Sequence, residues 1–490
     1  MQPDLLSPFF NDVHVNETLD NLDGLKTKLL PHQKCGIVWM LHRENSFPRG
    51  GLLADEPGLG KTLALVSLIL SQKNARENSS EIEAERMKAM GRTFEKDTNL
   101  IRSFSTLVVA PASVILQWQN EINKNLEDGK LKTYVFEESE DETDPHILTC
   151  HDVVFTTYHN VVVDKKKENS VLTKIGWERV ILDEAHHIRN CRSQSYKACC
   201  ELPAHARWAS SGTPIHKKVE DLISLFDFLQ IKLVGRSKEE DITICKSIIL
   251  RRTKDQIRPT SQKQTIPSKL EMIQVSVQLD ASERKCYESF GWLKQPVLDM
   301  VLQQACTHLF LTKHANHPGF FERILHRRLF SRTFLSSKLK VLLEELAKML
   351  ELGQKCVVVS QWTAVLEMIE WHLNNKGIIN TVITGGIHPR KRLARVDAFN
   401  HKSGQIKVLL MSMGDAGAGL NLTGANHLFI VDSDWNPALE EQAIGRIHCI
   451  GQQETVVVHK LVVQDSIEQN VLELQAEKTL LVKEMFKILP

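Results

Sequence analysis

The sequence predicts an α/β protein of two similar lobes, each built on a parallel sheet, with helical inserts and a helical connector. Three observations predict it. Short β-branched runs alternate with helical patterns from Gly51 to about Lys254, cease, and resume at Cys356, as βα units wound into a parallel sheet do. A glycine-flanked lysine, Gly58-Leu59-Gly60-Lys61-Thr62, lies between two apolar runs, where a strand ends and a helix begins. Leu182-Asp183-Glu184-Ala185-His186 closes a further apolar run and leaves two carboxylates at a strand's end.

Taken in order, residues 1–26 form an N-terminal extension and residues 27–254 the first lobe. Its expected strands are Gly51–Ala54, Leu107–Ala110, Lys132–Phe136, Asp152–Thr156, Val180–Asp183 and Trp208–Ser210, with helices at Thr62–Leu70 and Ser113–Asn125. A polar, charge-rich stretch, Ser71–Asn99, interrupts the alternation; it is expected to be a helical excursion or mobile insert of about residues 71–104. The acidic run Glu137–Asp144 reads as a solvated loop. Residues 255–335 look helical in parts, notably Ser282–Leu302, and are expected to be a connector. Leucines 339, 342, 343, 346 and 350 then recur at helical spacing. The second lobe, 336–490, has expected strands Cys356–Val359, Thr381–Thr384, Lys407–Met411, His427–Val431 and Val456–Leu461, with helices Pro389–Phe399 and Pro437–Ile447. Two such lobes, one with the glycine loop, suggest a cleft closed by nucleotide.

Bulk composition narrows the class. A chain of 490 residues with 25% charged and 42% hydrophobic residues has globular proportions. Its ten cysteines are scattered without a Cys-x-x-Cys, which points to reduced thiols rather than a disulfide frame or zinc ribbon. Cys306, His308, His314 and His317 are dense enough to suggest a metal, but no metal cluster is expected there. No stretch approaches the roughly 20 apolar residues of a membrane helix, and Met1–Asp20 lacks a signal-peptide pattern, so a soluble, non-secreted protein without membrane attachment is expected. A net charge of +1 does not advertise nucleic acid. Any polynucleotide contact must be a local groove, with candidate basic spots at Lys165–Lys167, Arg251-Arg252 with Lys254, Arg327-Arg328 and Arg390–Arg392.

The motifs themselves point to a nucleoside triphosphatase. Glycine turns expose backbone N–H groups to phosphate, the Lys61 ammonium adds charge, and Thr62 offers a hydroxyl to Mg²⁺. Asp55 stands where the strict phosphate-loop pattern has glycine, so Gly58 and Gly60 must carry the turn. Asp183 and Glu184 supply the carboxylates that a metal and an attacking water require.

As a set, Leu30-Pro31-His32-Gln33-Lys34, Ile181–Ile188, and Gly419–Gly424 with Asn426-His427 make the chain resemble the Swi/Snf-type DNA translocases, a branch of the superfamily-two helicases, over roughly residues 27–480. Within that family the likeness is to the animal transcription termination factors. The resemblance implies two RecA-like lobes, ATP and Mg²⁺ as cofactors, double-stranded DNA as partner, transcription or chromatin proteins as objects of remodelling or displacement, a role that extends to repair, and a nuclear location without oligomerisation. It assigns Gln33 to adenine; Gly58, Leu59, Gly60, Lys61, Thr62 and Gly419 to nucleotide; Thr62 and Asp183 to Mg²⁺; and Glu184 to the attacking water. Arg446 becomes the catalytic arginine, and His186, Gly212 and Thr213 the coupling residues. Pro111, Ser113, Thr156, Thr157, Arg251, Arg252 and Gln361 would face DNA, while Trp118 reads as packing.

Departures from the family pattern matter too. The last motif normally carries two arginines, but here Arg446 is followed three residues on by Cys449. Only arginine presents a permanently charged fork to a transferring phosphoryl group, and losing such a finger costs roughly 10³–10⁵ in rate. Pro57 replaces a methionine, Asp415-Ala416 an Ala-Gly, Gly445 an aspartate, His216-Lys217 a Gln-Asn, and Thr384-Gly385 an Asp-Gly. Asp415 is expected to disfavour both ligands by its charge. Two functions therefore compete: a duplex-DNA-dependent ATPase, and a nucleotide- and DNA-binding scaffold with impaired hydrolysis.

Overall fold

The computed structural model describes residues 22–97, 99–137, 144–214, 220–231, 244–257, 269–315, 328–401, 403–416 and 420–488. They form two compact units, one from the described residues up to 257 with 484–488 and one from 269 to 483.

In the first unit, helix α1 (Pro31–Asn45) precedes strand β1 (Gly50–Leu53), which leads through the glycine loop into α2 (Lys61–Asn78). After α3 (Ser80–Thr93) come β2 (Ile101–Val109), α4 (Ala112–Asn125), β3 (Thr133–Val135), β4 (Val153–Thr156), α5 (Tyr158–Lys166), β5 (Ile175–Asp183), β6 (Ala204–Ser210) and β7 (Ile249–Leu250). The sheet order is β3-β4-β2-β5-β6-β1-β7, and every pairing is parallel. β1, β4, β5 and β6 are buried along their whole lengths. Helices cover both faces, as the continuous apolar runs of a parallel sheet require.

The polar stretch after residue 70 is helical and docked. α2 extends to Asn78, and α3 follows after a Ser79 cap. Two of its charges are drawn inside while Glu77, Glu81, Glu83, Glu85 and Lys88 stay exposed: Arg76 Nη1 donates to Glu178 at 2.9 and 3.1 Å, and Arg86 Nε donates to Glu178 at 3.0 Å. Arg179 in turn donates to Glu44 at 2.9 Å, with both side chains fully buried. Burial alone would raise the Glu44 carboxyl, but the guanidiniums of Arg179 and Arg86 hold it well below the ordinary carboxylate range. Truncating one member of such a buried network costs about 3–5 kcal/mol, because its partner is left charged and dry.

The second unit begins with β8 (Leu270–Val277), then α6 (Ala281–Glu288), α7 (Val297–Thr307) and α8 (Ser337–Glu351). β9 (Cys356–Ser360), α9 (Thr363–Asn375), β10 (Asn380–Ile383), α10 (Pro389–Asn400), β11 (Val408–Ser412), β12 (His427–Ile430), α11 (Pro437–Ile447), β13 (Val456–Val463) and α12 (Ile467–Ile488) follow. Its sheet runs β10-β11-β9-β12-β13-β8, again wholly parallel. In α8, Leu339, Leu342, Leu343 and Leu346 are buried on one stripe and Ser336 caps the Leu339 N–H. Each such leucine contributes about 1.5–3 kcal/mol of burial.

Within the stretch read as a helical connector, Leu270–Val277 is instead a strand, paired with β13 over eight residues. It is a sheet edge with Met272 and Ile273 exposed, so it lacks the apolar run or clean alternation that announces a strand. His308 uses both ring nitrogens on backbone: Nε2 donates to Phe334 O at 2.9 Å and Nδ1 accepts from Phe310 N at 3.0 Å. His317 lies outside the described residues.

Each unit is a RecA-like lobe. In the first, β6 stands between the strand that feeds the glycine loop and the strand that ends in Asp183.

Candidate active site

Because all strands of the first sheet are parallel, their carboxyl ends share one rim, and the register sets who stands beside whom. Leu53 pairs with Ser210, Asp183 with Ser210, and Val109 with both Leu182 and Thr156. The segments leaving these residues are the glycine loop, Ser211-Gly212-Thr213, Glu184, Ala110-Pro111 and Thr157. Ligands of open α/β sheets bind at this edge.

The glycine loop turns through Gly58 (φ 89°) and Gly60 (φ 78°), left-handed conformations that glycine adopts without a Cβ penalty. Gly60 is also the N-cap of α2, so Lys61 and Thr62 open the helix. Lys61 Nζ lies across the loop and donates to Asp55 O at 2.8 Å and Glu56 O at 3.4 Å. Leu59 is buried, and its carbonyl accepts from the His32 ring at 3.0 Å. Gln33 is buried at the start of α1, where its Oε1 accepts the Leu30 N–H at 2.9 Å.

Across β6, Asp183 is buried and accepts the indole N–H of Trp118 at 2.7 Å and the Glu184 N–H at 3.0 Å. Burial pushes its carboxyl up and the neighbouring Glu184 charge adds to this, while the Trp118 hydrogen bond and the Lys61 ammonium pull it back. Glu184 is one of few non-glycine residues at positive φ (50°), a conformation that costs of order 1–3 kcal/mol and directs its side chain off the strand. Its Oε2 lies 3.4 Å from His186 Nδ1. Tyr158 O–H donates to the Asp183 carbonyl at 2.9 Å, and the rings of Tyr158, His187 and His186 stack in turn at 4.9 Å.

Between these two groups, Ser211 N donates to Leu53 O at 3.1 Å and Thr213 N to Ser211 Oγ at 3.2 Å. A Cβ at Gly212 would lie 2.7 Å from Pro57 Cγ, so glycine lets this segment press on the loop at the residue that replaces the family's methionine. Lys61, Thr62, Asp183, Glu184, His186, Gly212 and Thr213 therefore stand on one rim. Trp118 was read as packing alone; its link to Asp183 spans 65 residues, and an indole in an amphipathic helix carries no local sign of it.

The residues expected to face DNA divide into two groups. Pro111 caps α4, with Ser113 half-buried in its first turn, and Thr157 caps α5 by accepting the Asn160 N–H at 3.1 Å; all three are at the rim. Thr156 is buried and its hydroxyl donates to Phe136 O at 3.2 Å. Arg252 is bound to Asp55, with Nε donating to Oδ1 at 3.0 Å, and Arg251 Nη1 donates to Ala54 O at 3.2 Å. The Thr156 hydroxyl and the Arg252 guanidinium thus have partners within the fold.

In the second lobe, the Gln361 N–H donates to Asp432 Oδ1 at 2.7 Å and its Nε2 donates to Ser433 O at 2.8 Å. Arg446 is buried in the last turn of α11, and its carbonyl accepts Leu422 N at 2.7 Å. Cys449 is buried with Sγ 3.5 Å from that same carbonyl. Asp415 does not stand as a bare charge: Arg392 Nη2 pairs with it at 2.9 Å, both side chains nearly buried, which removes the repulsion expected of it. Gly419 and His216-Lys217 lie outside the described residues.

Asp183 and the Thr62 hydroxyl are hard oxygen donors of the kind Mg²⁺ takes, so the residues present fit that ion.

The SNF2-related domain profile matches residues 32–240 and the helicase conserved C-terminal domain profile residues 337–451. The chain is 29% identical to transcription termination factor 2 of Drosophila melanogaster over 93% of its length, spanning 57% of that protein. It is 30% identical to a probable global transactivator of Orgyia pseudotsugata multicapsid polyhedrosis virus, covering 94% of this chain and 91% of that protein. Among solved structures it is similar to the Sulfolobus solfataricus SWI2/SNF2 ATPase core in complex with dsDNA, at 25% identity, 94% and 93% coverage and a TM-score of 0.41. With two matched domains in order, and a relative of nearly its own length at 30% identity, the chain belongs to the SNF2-related family of helicase-like ATPases.

Proposed function

We propose that the protein is a double-stranded-DNA-dependent ATPase that steps along duplex DNA without separating its strands. The observation that carries this reading is the first lobe's rim, where Lys61 and the Asp183-Glu184 pair leave strands β1 and β5 on either side of the Ser211-Gly212-Thr213 segment. Lys61 exchanges the carbonyls of Asp55 and Glu56 for phosphate oxygens, a swap of neutral acceptors for charged ones that strengthens its bonds. Thr62 and Asp183 would hold Mg²⁺, which would neutralise charge on the phosphates. Glu184, turned out by its backbone, orients water and takes its proton. His186, beside Glu184, and Gly212, pressed on Pro57, pass the state of the site to the rest of the lobe. Pro111, Ser113, Thr157 and Gln361 serve the polynucleotide, and Arg446 is the catalytic arginine.

The names of the Drosophila and viral relatives support transcription complexes as the objects acted on, and a nuclear location is proposed with that role. A second reading, a scaffold that binds nucleotide and DNA without turnover, is favoured by one observation: at Cys449 a buried thiol replaces an arginine.

ATP hydrolysis by purified protein with and without duplex DNA separates the two, run beside Lys61→Ala and Cys449→Arg. A DNA-stimulated rate abolished by Lys61→Ala supports the motor. No turnover in the wild type, with activity gained in Cys449→Arg, supports the scaffold and overturns the motor.

A further inference from the structure

Arg252 was expected at a DNA groove, but its partners describe another task. It follows β7, which lies parallel to β1, and the two main chains stay in step beyond the strands: Ala54 N donates to Leu250 O at 2.7 Å and Glu56 N to Arg252 O at 3.1 Å. The Asp55 carboxylate accepts Arg252 N at 2.9 Å and Arg252 Nε at 3.0 Å on one oxygen, and Nη2 on the other. Nη1 donates to the carbonyl of His32, the residue before Gln33. The His32 ring closes the circuit by donating Nε2–H to Leu59 O, between Gly58 and Gly60. Asp55 is 2% exposed and the Arg252 side chain 11%, so the pair is shielded from solvent and its salt.

Only a planar guanidinium serves a carboxylate through two nitrogens of one edge and a carbonyl through the third nitrogen at once; an ammonium does not match that fork. The helix has made room for it. A Cβ at Gly36, one turn after His32, would lie 3.0 Å from Arg252 Nη2.

We propose that Arg252 is a positioning residue of the nucleotide site, tying the phosphate loop to the helix that carries Gln33 so that the phosphate end and the base end of a nucleotide are held in register. The proposal rests on the reading of residues 55–62 as a phosphate loop. It accounts for Asp55 in a loop whose strict pattern has glycine: the carboxylate is the anchor point of the clamp.

The test measures the affinity of a fluorescent ADP analogue, and the salt dependence of duplex-DNA binding, for wild type, Arg252→Lys, Arg252→Gln, Asp55→Asn and the double variant Asp55→Asn/Arg252→Gln, with Lys61→Ala as reference. The expected result is a tenfold or greater loss of nucleotide affinity in each single variant, a double variant no worse than the weaker single one, and an unchanged DNA salt slope. Wild-type nucleotide affinity in Arg252→Gln, or a salt slope reduced by about one, would overturn it in favour of a DNA-phosphate contact. Arg252→Lys keeps charge and stem, so it decides the matter if Arg252→Gln does not fold: wild-type nucleotide affinity there also overturns the proposal. If Lys61→Ala binds the analogue as wild type does, the phosphate-loop reading itself is lost. Weakening in Lys61→Ala with none in Arg252→Gln removes only the clamp.

Discussion

Two buried aspartates, one in each lobe, show how the same scaffold is put to different uses. Asp183 ends β5 and Asp432 lies just past β12, each at the carboxyl edge of a wholly parallel sheet. Asp432 accepts the Ser360 hydroxyl and the Gln361 N–H, from the last residue of the neighbouring β9 and the turn that follows it. Its oxygens are occupied by local donors and it works as a staple between two strand ends. Asp183 takes one donor from the next residue and one from Trp118 on α4, and is followed by a carboxylate in a strained conformation, whereas an ammonium acts on both aspartates, Lys61 on Asp183 and Lys338 on Asp432. A strand-end aspartate thus becomes a candidate for chemistry through what surrounds it. The lesson is that burial and a raised carboxyl do not by themselves mark a reactive group; at Asp183 the carboxylate that follows it and the donor borrowed from α4 set it apart.

The largest effect expected to separate the lobes is at Glu184. Glu184→Gln keeps size and hydrogen bonding but cannot take a proton, so steady-state kcat should fall about 10²–10⁴-fold with nucleotide affinity within a few-fold of wild type. Asp432→Asn should leave kcat of the folded protein close to wild type and move the unfolding midpoint instead. A loss of hydrolysis in Asp432→Asn equal to that in Glu184→Gln would erase the distinction between staple and reactive rim.

The second effect is in pH. Burial raises the Asp432 carboxyl to about 6, against which the Ser360 and Gln361 hydrogen bonds pull. With its folded value above its unfolded one, its contribution to stability is complete below about pH 4 and lost as pH rises through 6, about 3 kcal/mol in all. His459 does the reverse. Burial, then the facing His427 at 3.0 Å, lowers it to about 4, so its contribution is present above pH 6.5 and lost as pH falls through 4, again about 3 kcal/mol. In the wild type the two slopes oppose each other between pH 4 and 6. Relative to the wild type, urea unfolding across that range should show stability rising more steeply with pH in Asp432→Asn and less steeply in His459→Gln, where other buried histidines such as His187 and His205 still titrate. Slope changes of the same sign in the two variants would mean that neither group titrates as its surroundings require.

What could be read from the sequence was whatever is contiguous in it. Gly58–Thr62 and Asp183-Glu184 each place a turn, a strand end and a charge within a few residues, and the parallel-sheet alternation around them is visible without tertiary knowledge. What could not be read depends on partners brought together by the fold. Arg252 meets Asp55 across 197 positions, and a pair of arginines after a strand looks the same whether it faces solvent or a buried carboxylate. Arg76 and Arg86 sit in a stretch whose composition says solvent, yet Glu44 and Glu178 wait for them on α1 and β5. Asp415 was expected to repel until Arg392 neutralised it. β8 escaped because an exposed edge strand needs no buried face to announce it.

The smallest effect tests what makes Asp183 unlike Asp432, the donor borrowed from α4. Trp118→Phe removes the indole N–H but keeps a ring to pack edge-on against Phe155, whose centroid lies 6.0 Å away. A hydrogen bond to a charged group contributes about 1.5–3 kcal/mol, and here the acceptor is buried, so the loss is not made good by water. If the indole only filled space, Phe would cost a cavity's worth of stability and leave the Mg²⁺ requirement of hydrolysis unchanged. If it holds the carboxylate in place, the Mg²⁺ concentration for half-maximal activity should rise about tenfold, the equivalent of 1.4 kcal/mol, with a smaller change in kcat at saturating metal. That split between metal requirement and maximal rate is the signature of a displaced ligand, and it has no counterpart at Asp432, whose donors Ser360 and Gln361 come from the end of the neighbouring strand rather than from a covering helix.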